Sequence, residues 1–379
     1  MKESSILAIK EHPSANGRTA SVDVEKKPAK TGNKKPFFHF LPKVNVRQMG
    51  KKTLISMLSI MAFLVFWHLG ARWLYDIEAT EKVEKALEEQ GEAAAREMID
   101  CISSGEISCQ PNTLPSPTQV LAAAQTLLRD HRAISAKKAE FKAKVAETNA
   151  ERKAQGLSLI KYTGRPSFLD QIFTSIKTVL AGFLLAMFIA IPIGIITGLN
   201  QNLRQAFNWL IQIFKPVSPV VWLLLVFMIV KTVIRDPEMD KSFIISFISV
   251  GLCAMWATLV NTSVGVSSVQ KDYINVAKVL QLNVGKKIFK VIIPSSIPLI
   301  FTGLRITVSV AWMVLIAIEL LAQSPGLGSF VWEEFQNGAN DSNAKIIVAM
   351  FVIGIIGFLL DRIMIFVQHS VSFEKAKVS

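Results

Sequence analysis

The sequence contains no G-x-x-x-x-G-K-[ST] phosphate loop. Both Gly50-Lys51-Lys52 and Gly285-Lys286-Lys287 lack the leading glycine and the hydroxyl residue, so the chain has nothing built to cradle a nucleotide's phosphates. Neither a His-Glu-x-x-His pair nor a Gly-x-Ser-x-Gly elbow occurs, which removes the motifs for zinc- and serine-based hydrolysis. Only three cysteines are present. Cys101 and Cys109 bracket the polar stretch ISSGEIS, and without histidines at suitable spacing they leave a tetrahedral zinc incomplete. No metal site is expected. The pair reads as a disulfide in an oxidising compartment, or as two free thiols. Acids are also few, 29 against 42 lysines and arginines.

What is abundant is apolar. Hydrophobic residues make up 51% of the chain and the mean hydropathy is +0.38. One soluble core cannot hide the resulting runs, so the class is a polytopic membrane protein. A helix needs about 20 apolar residues to cross a hydrocarbon layer of about 30 Å. Residues 53–75, 168–199, 243–264, 297–321 and 346–367 qualify. A sixth run, 207–230, is interrupted by Lys215, Pro216 and Pro219, and is expected to be one kinked span. The fold expected is therefore all-α and integral to the membrane, with about six transmembrane helices.

Charge sets the orientation. Residues 1–52 carry twelve Lys and Arg against four acids, and residues 271–290 carry five lysines against Asp272 alone. Both belong on the cytoplasmic side by the positive-inside rule. Six spans return the C-terminus, with Lys375 and Lys377, to that side. The same distribution accounts for the net charge of +13 through insertion bias and anionic lipid, and excludes nucleic acid as the intended partner. Residues 1–36 read as a disordered tail. Residues 76–167 hold no run long enough to span and form an extramembrane insertion on the outer side. Helix-favouring Ala, Glu, Lys and Gln predict helices over 81–99 and 117–154.

The polar, basic stretch 272–305, DYINVAKVLQLNVGKKIFKVIIPSSIPLIFTGLR, lies between two spans. Ile274, Ala277, Leu280, Val284, Ile288 and Val291 recur every three or four residues, with Lys271, Asn275, Lys278 and Lys286 largely elsewhere around the helix. An amphipathic helix resting on something is expected, with Gly285 as a break between two short helices. The support is either a protein partner or anionic headgroups.

This stretch resembles the cytoplasmic coupling loop of ABC importer permeases, whose pattern is Glu-Ala-Ala, three residues, Gly, nine residues, Ile, any residue, Leu-Pro. Asn275, Val276 and Ala277 fall on the first three places, Gln281 on the glycine, and Ile292, Ile293 and Pro294 on the closing places. LPSPTQVLAA, IAIPIGIITGL, KPVSPVVW, and IFTGLRITVSVAWMVLIAIELLAQSPGLGSFVWEEFQNGAN followed by IIVAMFVIGIIGFLLDR extend the likeness. They are similar to the nitrate-type branch of the nitrate, sulfonate and bicarbonate permeases.

The resemblance implies a type I ABC importer permease, with two copies of one chain in the inner (plasma) membrane. Two separate ATPase subunits would carry ATP and Mg, and a periplasmic or surface-tethered solute-binding protein would deliver the cargo. This chain would need no cofactor of its own and would not be an enzyme. The parts would be a tail (1–52), a first span (53–75), an outer insertion (76–167), a five-helix core (168–368) with coupling loop 267–295, and a tail (369–379). Nitrate leads as cargo, followed by nitrite, cyanate or bicarbonate, then sulfonates or taurine.

Three further residues stand out inside the spans. Glu319 is an ionisable group where charge is costly, either a structural acceptor for a backbone amide of the SPGLGSF loop or part of a gate. Arg305 could draw an anion through the pore or reach the headgroups. Trp312 could line the pathway or pack. An ion-coupled secondary transporter is the rival class, and it predicts internal repeats and buried carboxylates or histidines.

Overall fold

The computed structural model describes residues 46–106, 109–236 and 239–371, and every described regular element is helical. The tail expected over 1–36 and Lys375 and Lys377 lie outside the described residues. The chain divides into two units, 1–58 and 59–379.

The first helix is longer than its apolar run. Helix α1 (Val46–Gln90) is unbroken over 45 residues, about 68 Å at 1.5 Å per residue. Its charged C-terminal part is rich in Glu, Lys and Ala, which favour continuation. Gly91, at φ 86°, ends it, and α2 (Glu92–Ser104) follows and stops at Gly105 in a left-handed cap. The helix expected over 81–99 is therefore cut at Gly91, where a left-handed φ suits glycine alone. Cys101 and Cys109 are joined as a disulfide, with Cα atoms 6.1 Å apart.

Helix α3 (Pro117–Lys144) starts from a capping box, Ser116 with Gln119, and Pro117 in its first turn. Pro there loses no bond and Ser takes an otherwise orphaned amide. After Val145 comes α4 (Ala146–Ala154), so the helix expected over 117–154 is interrupted only at that residue.

Helix α5 (Phe168–Leu199) also opens on a capping box, Ser167 with Asp170. The sixth run differs from expectation. It forms α6 (Gln201–Phe214) and α7 (Pro219–Val233), bent by 99° at the break, far more sharply than a kink. Pro216 and Pro219 cannot donate to the ladder and clash with carbonyls one turn back. Ser218 then caps a new helix through the Val220 amide, 3.4 Å away. Five helices are long and apolar enough to cross a membrane, and counting the bent pair as one broken span gives six.

Helix α8 (Lys241–Ser267) is the centre of the core, between α5 and α11 (Ile293–Ala322). Small residues allow that closeness: a Cβ on Gly194 of α5 would lie 2.6 Å from Thr262 of α8, and one on Gly303 of α11 would lie 2.8 Å from Asn261. Thr258 and Thr307 add a buried hydroxyl pair at 2.7 Å, and Thr307 also donates to the Ala254 carbonyl at 3.1 Å. Between membrane helices such bonds are worth about 0.6–2 kcal/mol. Leu259, Leu315 and Ile318 of the same two helices are fully buried as well. Helix α12 (Leu327–Asn337) and the last span, α13 (Asn340–Val371), close the bundle against α11.

Candidate coupling surface and intramembrane polar residues

Between α8 and α11 the chain forms α9 (Lys271–Val279), α10 (Val284–Lys287) and a π-helical turn, Ile288–Ile292. The break between the two short helices lies at Gln281, not Gly285. Gln281 has φ 47°, its N–H donates to the Lys278 carbonyl at 2.9 Å, and the Leu282 N–H donates to Ala277 at 3.1 Å. These two bonds make a Schellman motif, whose left-handed residue is most often glycine. Gln281 thus occupies the glycine place of the loop pattern in the backbone shape that glycine would adopt. Gly285 sits inside α10 with no atom near its missing Cβ. Asn283 caps α10 through the Lys286 amide at 2.9 Å.

The expected apolar face is divided. Ala277 and Ile292 are buried, and Ile274, Leu282 and Ile288 are half-buried, so this row binds the loop to its own chain. Leu280 (64% exposed) and Val284 (74%) face away, together with Val276, Val279 and Phe289. Asn275, Gln281, Lys278 and Lys286 are exposed around them. The loop is therefore apolar on two sides, one spent internally and one open. Pro294, exposed in the first turn of α11, marks the change from π to α ladder.

At the other end of α11, Glu319 is fully buried and accepts from the Gly328 amide at 2.9 Å and from the Ser175 hydroxyl at 2.8 Å. Ser175 in turn accepts from the Leu327 amide at 2.9 Å. Acid and hydroxyl together cap the N-terminus of α12, where orphaned amides and the helix dipole favour an anion or acceptor. A Cβ on Gly326 would collide with the Glu319 carboxyl, and one on Gly328 with the Ile316 carbonyl. The glycines of SPGLGSF are required by this close approach.

Arg305, exposed on α11, has a partner on another span. It forms a two-pronged pair with Asp361 of α13, Nε to Oδ1 at 2.5 Å and Nη2 to Oδ2 at 3.0 Å. Planar forks match carboxylates in this way. Arg305→Ala is expected to reduce uptake at least several-fold by removing the two-pronged partner of Asp361 that ties α11 to α13, and Arg305→Ala/Asp361→Ala to recover most of it. Uptake into vesicles measures both. A double variant as inactive as the single would mean that the guanidinium itself serves the solute.

Trp312 is buried in the core, its indole donating to the Ile353 carbonyl of α13 at 3.0 Å beside Gly357, so it packs two spans together. Lys177, another charge within a span, lies over the Phe243 ring at 4.7 Å. One buried acid escaped notice in the sequence: Glu334 of α12 accepts from Ser342 at 2.7 Å and pairs with Lys345 at 3.7 Å and Arg165 at 3.4 Å. Its signal was the i+4 spacing from Phe330, which puts an acid on the buried face.

A bundle with five helices long and apolar enough to cross a membrane, and with large apolar side chains exposed along them, defines an integral membrane protein. Residues 190–372 match the family described as binding-protein-dependent transport system inner membrane component. The nitrate import permease protein NrtB of Synechococcus elongatus is 36% identical over 202 residues, 53% of this chain and 69% of that relative. The bicarbonate transport system permease protein CmpB of Synechocystis is 36% identical over 203 residues, 53% of this chain and 68% of that one. An inward-facing methionine ABC transporter, MetNI, aligns with 54% of this chain and 95% of its own at 12% identity, with a TM-score of 0.46. The chain belongs to the binding-protein-dependent inner membrane permease family.

Proposed function

We propose that this chain is the permease of an ABC importer for nitrate, working as two copies with two ATPase subunits that bind ATP and Mg and with a solute-binding protein outside. The observation that carries the reading is the loop of α9, α10 and the π turn. It is anchored inward by Ala277 and Ile292 and open outward at Val279, Leu280, Val284 and Phe289, and it leads straight into α11. Closure of the ATPase pair on ATP would displace this loop, and its internal anchoring would carry the displacement into α8 and α11, alternating the access of the pathway. The termini would lie on the cytoplasmic side.

The nitrate assignment is supported by the nitrate import relative and by likeness of FVWEEFQN and its neighbours to that branch. Bicarbonate stands beside it, because a bicarbonate permease is equally similar at 36%. Among the described residues the cations inside the spans are paired or near an end, so selection falls to the binding protein. The test is ATP hydrolysis by this chain in liposomes with its ATPase subunits and binding protein, comparing nitrate, bicarbonate and taurine. Stimulation by nitrate alone is expected. Stimulation by another solute would replace the cargo, and no assembly and no stimulation by any solute, with the protein folded, would favour an ion-coupled transporter.

A further inference from the structure

The outer insertion has almost no net charge, and that balance conceals two arms of opposite sign. Residues 76–106, the outer part of α1 with α2, hold ten acids against three bases, whereas residues 117–165, α3, α4 and the strap after them, hold ten bases against four acids. Glu84, Glu88, Glu89 and Glu97 are exposed on the first arm, and Arg132, Lys137, Lys142 and Lys153 on the second. The insertion lies outside the residues matched by the permease family, 190–372.

The arms do not neutralise each other within the chain. Lys85–Glu81 and Arg96–Glu92 pair inside the acidic arm, and Lys144–Glu140 inside the basic one. Lys138–Asp170 and Arg165–Glu334 tie the basic arm to α5 and α12. Among the described residues no ion pair joins arm to arm, and α2 makes no extensive contact with α3 or α4. Crowding like charges on one arm works against folding through self-repulsion, so stability alone does not favour this segregation.

We infer that the acidic arm of one copy docks on the basic arm of a second copy, in two reciprocal contacts across the two-fold axis. An interface between identical chains must be self-complementary, each patch meeting the other on the partner. Nearly equal and opposite totals on one chain satisfy that requirement twice over. A separate partner protein sets no such equality. Complementary exposed charge of this kind aligns and steers partners more than it adds affinity, and is weakened by salt. The inference rests on the two-copy assembly proposed above and not on the cargo.

The test uses the full-length chain in detergent, labelled with donor or acceptor fluorophores, with association read by energy transfer. One variant carries Glu84→Lys, Glu88→Lys and Glu97→Lys, and the other Arg132→Glu, Lys137→Glu and Lys142→Glu. Each is expected to associate with itself about tenfold more weakly than wild type at low salt. Mixing the two should restore wild-type association, because each reversed arm then meets its opposite. The differences should fade near 0.5 M salt, where the Debye length falls to about 4 Å.

Restoration also proves both variants folded. A mixture as weak as either variant alone would place the pairing within one chain and overturn the inference. Association of wild type that neither reversal changes would overturn it while leaving the two-copy assembly standing, and would direct attention to the binding protein. Wild-type copies that never associate would overturn both.

Discussion

Glu319→Ala is expected to destabilise the protein by about 3–5 kcal/mol, whereas Glu319→Gln should leave most transport intact. The alanine removes the acceptor of two buried donors, the Gly328 amide and the Ser175 hydroxyl, each costing about 1–3 kcal/mol when orphaned. It also leaves a cavity at a site with no exposed surface. Glutamine keeps the volume, accepts from Gly328 with its carbonyl, and can donate to Ser175, so only the serine proton loses its partner, about 1 kcal/mol. Gly328→Ala should be at least as damaging as overpacking usually is, about 3 kcal/mol, because its Cβ would strike the Ile316 carbonyl, which is backbone and cannot swing aside. Thermal unfolding in detergent and uptake into vesicles separate the two aspects. A Glu319→Gln protein that melts like wild type yet transports nothing would show that the charge, not the acceptor, is needed, and would return Glu319 to a gating role.

The acid was readable in the sequence because a carboxyl in a span must find donors, and a glycine-rich turn nine residues on was the nearest supply. Its second donor, Ser175, is 144 residues away and left no local mark. The spans were legible for a similarly direct reason, since a run of 20 apolar residues has few other uses. The 99° bend between α6 and α7 was not, because prolines announce a lost amide without saying which way the chain turns.

Arg305 pairs with Asp361 from another span, a partner 56 residues away that leaves no local mark in the sequence. At α9 the period found an apolar stripe but could not say which residues bind the loop to its own chain, since Val276 and Val279 make the helix apolar on more than one side. Gln281 falls on the pattern's glycine place, and only its left-handed φ shows that it takes the backbone shape glycine would adopt. Summed over its whole length the insertion's charge nearly cancels, 14 acids against 13 bases, which hides the division between its arms.

That division of the loop's two faces decides which substitution tests coupling. Leu280→Glu is expected to abolish uptake while leaving insertion and folding unchanged. Leu280 is largely exposed in the chain alone, so a glutamate there costs nothing until a partner covers it. On docking, the variant forfeits the burial of a leucine, about 1.5–3 kcal/mol, and must strip water from a carboxylate. A total of at least about 3 kcal/mol weakens the hold on the ATPase subunits at least about a hundredfold.

Ala277→Asp would abolish uptake too, but for another reason. Ala277 is 1% exposed, so its charge would break the inward anchoring and dismantle the loop. Leu280→Met, of similar volume and polarity, should retain uptake and serve as the control. Co-purification of ATPase subunits and uptake into vesicles measure the effect. If Leu280→Glu kept both at wild-type levels and instead weakened adsorption to anionic vesicles, the open face of α9 and α10 would belong to lipid headgroups and the lever would have to lie elsewhere.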